Sequence, residues 1–437
     1  MSNYSRRDFL GTGIVAATMG LTTLSAIMSC KKKVAPYLPP LLDRAPDGPL
    51  LKAGLIGCGS RGTGAAIDFL EAGSQLEITA LGDVFADKVQ SCRTNLKKRK
   101  GIEIDSEKCF VGFDAYEKVI DSGVDIVLMA TPPYFRPVQF EAAVRAGKHI
   151  FMEKPVAVDP FGIRSILINA HRADEMGLSV ITGTLKRHQK DYVETYRRVY
   201  NGEIGDIVSA NTYYNQGKLW HVNPKAEWTE LEAMLRNWVN WCWLSGDHIV
   251  EQHVHNLDLM NWFIGTHPIK ATGFGSRHRR VTGNQYDNFS IDYTYPNQVH
   301  VHSMCRQING CSNNVSDLIR GTKGYTNGEN TLFNNDGSVK WKYPLTKEQE
   351  EDRWHFFWRA YRQEHIDLIT AIRTNSPVNE AHQIAESSLT GIMGRISAYT
   401  GKTVSWDEML NSDVHLGPKH FVMGPVEMDK AVPVPGQ

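Results

Sequence analysis

The chain has 437 residues, 41% hydrophobic and 22% charged, an ordinary balance for a globular protein that buries a sizeable core. Lys+Arg and Asp+Glu number 48 each. That neutrality offers no electrostatic footprint for nucleic acid, and no like-charge run is long enough for an interaction tail. The length exceeds one ordinary domain. The 7 cysteines form no C-x-x-C pair and are too sparse for a disulfide framework; for Cys305 and Cys311, a disulfide and two buried free thiols both stay open.

The first 30 residues read as an address. Ser5-Arg6-Arg7-Asp8-Phe9-Leu10 precedes an apolar run, Gly11 to Met28, that is too short and weak to span a membrane stably. It resembles a twin-arginine export signal. Ile27-Met28-Ser29-Cys30, followed by three lysines, resembles a lipobox in which Cys30 becomes the lipidated first residue of the mature protein. This predicts export by the twin-arginine pathway to a periplasmic or membrane-anchored lipoprotein in a bacterium, touching the membrane only through signal or anchor. The proline-rich stretch over residues 31–49 reads as an extended tether.

From residue 50 to 180, strands alternate with helices, which predicts a parallel, doubly wound sheet. The strand Leu51–Ile56 runs into Gly57-Cys58-Gly59-Ser60-Arg61-Gly62, a helix follows, and Asp83 closes the next strand. Each glycine has a role in holding a dinucleotide: Gly57 for the tight turn, Gly59 for backbone approach to the pyrophosphate, Gly62 for helix–strand packing. The N-terminus of the helix, at Ser60 and Arg61, then faces the phosphates. Asp83 is placed to bind the ribose hydroxyls and repel a 2′-phosphate, which predicts NAD rather than NADP. Ligands in such sheets lie at the carboxyl ends of strands, where Thr131-Pro132-Pro133 and Glu153-Lys154-Pro155 also fall.

Glu153-Lys154-Pro155 at a strand end, behind the glycine loop and the T-P-P turn, resembles the Gfo/Idh/MocA family of glucose-fructose oxidoreductase and inositol dehydrogenase. The likeness runs from Leu51 to about Leu410 and includes Gly202-Glu203-Ile204-Gly205-Asp206. It implies a Rossmann domain followed by an α+β domain, residues 181–437, whose large, mostly antiparallel open sheet binds substrate and often mediates oligomerisation. A homo-oligomer is therefore expected. The family's active-site lysine falls on Lys154, and Thr131, Pro132 and Glu153 fall beside the cofactor. Tyr134-Phe135-Arg136 departs from the histidine that many members carry there.

In the second domain, Ser245 to Asp258 read as one helix puts His248, Glu251, His255 and Asp258 on a single stripe. A solvated polar face, a metal site and an acid/base site all fit such a stripe. His253 points off it and H-E-x-x-H is absent, so no metal is expected. The family's acid and histidine, four residues apart, fall on Glu251 and His255, with Glu in place of the more usual Asp. A histidine near its ordinary pKa of about 6.5 suits proton abstraction while hydride leaves the carbon. Arg187 and His188 at the domain junction, His248, and Tyr213 and Trp243 (with Trp220 as a third stacking aromatic) are further substrate candidates. Gly321-Thr322-Lys323-Gly324 reads as a hairpin turn.

These readings predict hydride transfer from a sugar, glycoside or cyclic polyol carbon to a tightly held NAD. Two alternatives remain: an NAD-dependent, redox-neutral glycosidase working by oxidation, elimination, addition and reduction, and a non-catalytic sugar-binding protein.

Overall fold

Leu51–Ile56 (β1) alternates poorly and is nearly all apolar, as a strand covered on both faces must be. It forms the centre of a six-stranded sheet with Leu76–Asp83 (β2), Cys109–Val111 (β3), Ile126–Met129 (β4), His149–Met152 (β5) and Val180–Thr182 (β6). The order is β3-β2-β1-β4-β5-β6 and every pairing is parallel. Helices Ser60–Glu71 (α1), Ala86–Lys100 (α2), Ala115–Ile120 (α3), Arg136–Arg145 (α4) and Pro160–Glu175 (α5) connect the strands. The sheet therefore runs to Thr182, slightly beyond the boundary expected at residue 180.

In this computed structural model the described residues are 37–436, with the side chains at positions 353, 354, 355 and 357 outside the description. The twin-arginine segment and Cys30 lie outside the described residues. The described part of the expected tether is laid against the protein body: Ala45 donates its N–H to the Ala72 carbonyl at 2.9 Å, and the Arg373 guanidinium donates to the carbonyls of Pro46 and Pro49.

The second sheet has nine strands: Ile207–Gln216 (β7), Lys270–Ser276 (β8), Asn288–Thr294 (β9), His300–Gln307 (β10), Asn314–Gly321 (β11), Gly324–Thr326 (β12), Thr331–Phe333 (β13), Val339–Lys342 (β14) and Val404–Ser405 (β15). Their order is β14-β13-β12-β11-β7-β10-β9-β8-β15, antiparallel except for the β7–β10 pair. Thr322-Lys323 is the two-residue hairpin turn expected there. Lys190–Tyr200 (α6) enters this domain, and Glu230–Arg236 (α7), Cys242–Ser245 (α8), His248–Glu251 (α9) and Val254–Ile264 (α10) follow β7. After the short Lys347–Glu351 (α11), two long helices return: Arg353–Arg373 (α12) packs on α1 and β6, and Ala381–Thr400 (α13) on α5 and β8; Trp406–Leu410 (α14) ends the helices. Cys305 is a buried free thiol and Cys311 an exposed one, so they do not pair. Among the described residues no helix is long and apolar enough to cross a membrane.

Candidate active site

The glycine loop has the geometry its sequence demands. Gly57 sits at φ +95°, and a Cβ there would meet the Ala130–Thr131 backbone at 2.7 Å. A Cβ on Gly62 would lie 1.8 Å from the Gly57 carbonyl oxygen, so α1 starts hard against β1. Gly59, by contrast, has no protein atom within 4 Å of a built Cβ, and as N-cap of α1 it supplies no side-chain cap. The first N–H groups of a 12-residue helix thus open onto space, which fits a pyrophosphate.

That space is a cleft of about 550 Å³, lined by Gly57, Gly59, Ser60, Arg61, Gly62, Asp83, Thr131 and Pro132, together with Gln139 and other side chains. The Asp83 carboxylate accepts the N–H of Cys58 at 2.7 Å and of Phe85 at 2.9 Å, which fixes it at the cleft edge; burial raises its pKa. A carboxylate has about four acceptor positions, so capacity remains for ribose hydroxyls.

Two residues assigned to the cofactor act on each other. The Glu153 carboxylate pairs with the Arg61 guanidinium, whose face also lies over the Tyr361 ring at 4.4 Å. Their side chains tie the glycine loop to the end of β5, so Glu153 is a positioning group and does not line the cleft. A residue missed from sequence makes the parallel link. Arg136 is buried and donates to the carbonyls of Thr131, at 2.6 Å, and Pro155, clasping the T-P-P and K-P turns together. Burial lowers its pKa to about 10. The signal was present in Tyr134-Phe135-Arg136, the departure from the family pattern.

Lys154 leaves the end of β5 through a cis peptide to Pro155. Its Nζ donates to the Glu251 main-chain carbonyl at 2.5 Å and to the Glu251 carboxylate at 3.3 Å, joining the two domains. Gln252 donates to the other Glu251 oxygen and accepts from the Tyr214 hydroxyl at 3.0 Å. His255 is half-buried on the first turn of α10; burial and the Lys154 and Lys186 ammonium groups push its pKa well below the ordinary imidazole value. Lys186 is itself held by Asn256 and Asp317, both at 3.0 Å. Lys154 and Glu251 therefore meet, and His255 lies within electrostatic reach of the Lys154 ammonium.

The remaining substrate candidates do not join them. The continuous helix expected from Ser245 to Asp258 is broken: α8 ends at Ser245, Asp247, at φ +69°, starts the single turn α9, and the chain re-registers at Gln252-His253 before α10. His248 is consequently turned into the core, 5.1 Å from the Phe289 ring. Arg187 forks onto Asp258 at 2.8 and 2.9 Å, and His188 pairs with Asp367 at 2.7 Å and Glu380 at 3.2 Å. Thr212 bonds Asp317 and Tyr214 bonds Gln252, so Tyr213 between them projects from the opposite face of β7. Trp243 is buried among Tyr134, Phe135 and Phe421. Trp220 borders the cofactor cleft instead of the Lys154 cluster.

Comparison with known proteins agrees with this geometry. Residues 51–182 match a model described as an oxidoreductase family, NAD-binding Rossmann fold, of the GFO_IDH_MocA group, and residues 192–326 match the GFO/IDH/MocA C-terminal domain. The chain is 23% identical over 245 residues to scyllo-inositol 2-dehydrogenase (NAD(+)) of Bacillus subtilis, covering 56% of this chain and 63% of that one. It is 22% identical to inositol 2-dehydrogenase of Salmonella typhimurium over 49% of this chain and 54% of the relative. The match thus spans less than two thirds of these curated relatives. Scyllo-inositol dehydrogenase from Lactobacillus casei, solved with NAD(H) and scyllo-inositol, superposes with a TM-score of 0.61 at 19% identity, over 82% of this chain and 99% of the other. That likeness establishes the fold.

Proposed function

This chain belongs to the Gfo/Idh/MocA family of NAD-binding oxidoreductases, and on that premise we propose that it oxidises a secondary hydroxyl of a sugar or cyclic polyol. The observation that carries the reading is the contact of Lys154, on a turn that Arg136 ties to Thr131 of the glycine-loop cleft, with Glu251, four residues before His255.

Bound NAD supplies the hydride acceptor. The protein's own groups handle the oxygen. His255 is neutral across the physiological range because its pKa is depressed, so an imidazole nitrogen is free to take the hydroxyl proton. The Lys154 ammonium, oriented by the Glu251 carbonyl and carboxylate, donates to the same oxygen and stabilises the negative charge that develops there as the hydroxyl proton moves to His255. Asp83 at the ribose end supports NAD over NADP. The twin-arginine signal and Cys30 support export and lipid anchoring, and the outward Phe274 and Met304 on the open sheet support a homo-oligomer.

Purified protein with NAD and a panel of inositols and aldoses is expected to yield NADH and a keto product in equal amounts. Phenol released from aryl glycosides without net NADH, or sugar binding with neither product, overturns the proposal.

A further inference from the structure

The Rossmann domain does not enclose the cleft alone. After β7 the chain returns over it, and Trp220, Val222, Leu235, Arg236 and Trp238 of the second domain line the same cavity as Gly59 and Asp83. This roof is internally braced. The Asn237 side chain accepts the Val222 N–H at 2.7 Å and donates to the Val222 carbonyl at 2.8 Å, and the Trp220 and Trp238 rings meet edge to face at 6.2 Å.

It is also fastened to the Rossmann side. Arg236 forks onto both oxygens of Asp87 at 2.9 and 3.1 Å, and its guanidinium lies 3.9 Å over the Phe85 ring, two residues beyond Asp83. Glu232 steadies the same guanidinium at 2.9 Å. From outside, the C-terminal tail clamps α7: the Leu231 N–H donates to the Gly424 carbonyl, the Val426 N–H to Glu230, and Lys430 pairs with Glu230.

We infer that the Arg236–Asp87 fork is a latch that sets how slowly the bound dinucleotide leaves, holding the Trp220–Trp238 roof over the cleft that Asp83 lines. The inference rests on the oxidoreductase reading above for the identity of the ligand. The physical argument is topological. A ligand in an open α/β crevice leaves along the strand ends, and here that route is covered by a segment that must first release a bidentate ion pair and a cation–π contact. Asp87 keeps 58% of its side-chain exposure, so the fork contributes little to folding stability and is separable from it.

The test is release of radiolabelled NAD from the full-length protein, followed by gel filtration and by chase with unlabelled NAD. Wild type is expected to carry the label through the column. Arg236→Ala and Asp87→Ala are each expected to release it at least tenfold faster with an unchanged melting temperature, and Arg236→Lys to fall between. Raising the ionic strength is expected to speed wild-type release and leave the alanine variants unmoved. Asp87→Ala opens the latch from its exposed end, which keeps the test decisive if Arg236→Ala disturbs α7. Wild-type label lost within the mixing time, or both alanine variants releasing at the wild-type rate, overturns the latch. Failure of NAD to bind wild type at all overturns the oxidoreductase reading, and the latch with it.

Discussion

Two basic–acidic clusters lie near the junction of the two domains, and they do different things. Arg187, His188, Asp258, Asp367 and Glu380 close on themselves: every charge meets an opposite one, and His188 and Asp367 have no exposed side chain. Lys154, Glu251 and His255 are also mostly buried, yet His255 is set between two ammonium groups rather than against a carboxylate. A closed cluster spends its charges on each other and fixes the architecture. An open one leaves a neutral imidazole and a directed ammonium for a third party. Residue type does not separate them, since both contain lysine or arginine, histidine and acids; satisfaction does.

Substitutions can break this contrast. Lys154→Ala is expected to lower kcat about a thousandfold, the scale of a positioned proton or oxyanion group, while labelled NAD is still retained through gel filtration. His255→Asn is expected to cost on the order of a hundredfold in kcat. In wild type the acidic limb of the kcat/KM profile lies below 6.5, because burial and the two lysines depress the histidine, and in the variant that limb disappears. A wild-type limb above 6.5 would refute the assigned environment.

On the closed side the losses fall on stability. Asp258→Ala strands Arg187 in the core and is expected to cost about 3–5 kcal/mol in urea unfolding. His188 adds a pH dependence. Burial opposes its protonation, but Glu380 and Asp367 prevail and hold its folded-state pKa well above 6.5. Its stabilisation is therefore complete below 6.5 and is lost as pH rises through the folded-state value. The stability difference between wild type and His188→Gln is expected to shrink toward alkaline pH. The smallest effect belongs to Tyr213→Ala, which faces away from the Lys154 cluster: kcat/KM is expected to change by less than about twofold, within surface-substitution range.

The first sheet and its ligand loop were legible because their signals are local. Apolar runs marked buried strands, and Gly57, Gly59 and Gly62 each answer a steric requirement within a few residues. The substrate side was only partly legible. Glu251 and His255 are four apart in the chain, and a one-residue re-registration at Gln252-His253 leaves that pair together while swinging His248 inward. Nothing near Arg187 or His188 announces that their partners lie on α10, on α12 and at the N-cap of α13. Tyr213 depends on strand parity, which Thr212 and Asp317 settle across a separation of 105 residues.

The roof has a consequence for truncated chains. Its outer clamp is the tail: Gly417, at φ +93°, sits 2.8 Å (from a built Cβ) from the Tyr134 ring and 3.0 Å from Trp243, a slot that only glycine fills, and Gly424 and Val426 then hold α7. Those residues follow every strand of both sheets in the chain. Both sheets are complete in sequence before the clamp is made, so a chain truncated ahead of Leu416 has its glycine-loop cleft without the fastening that holds α7.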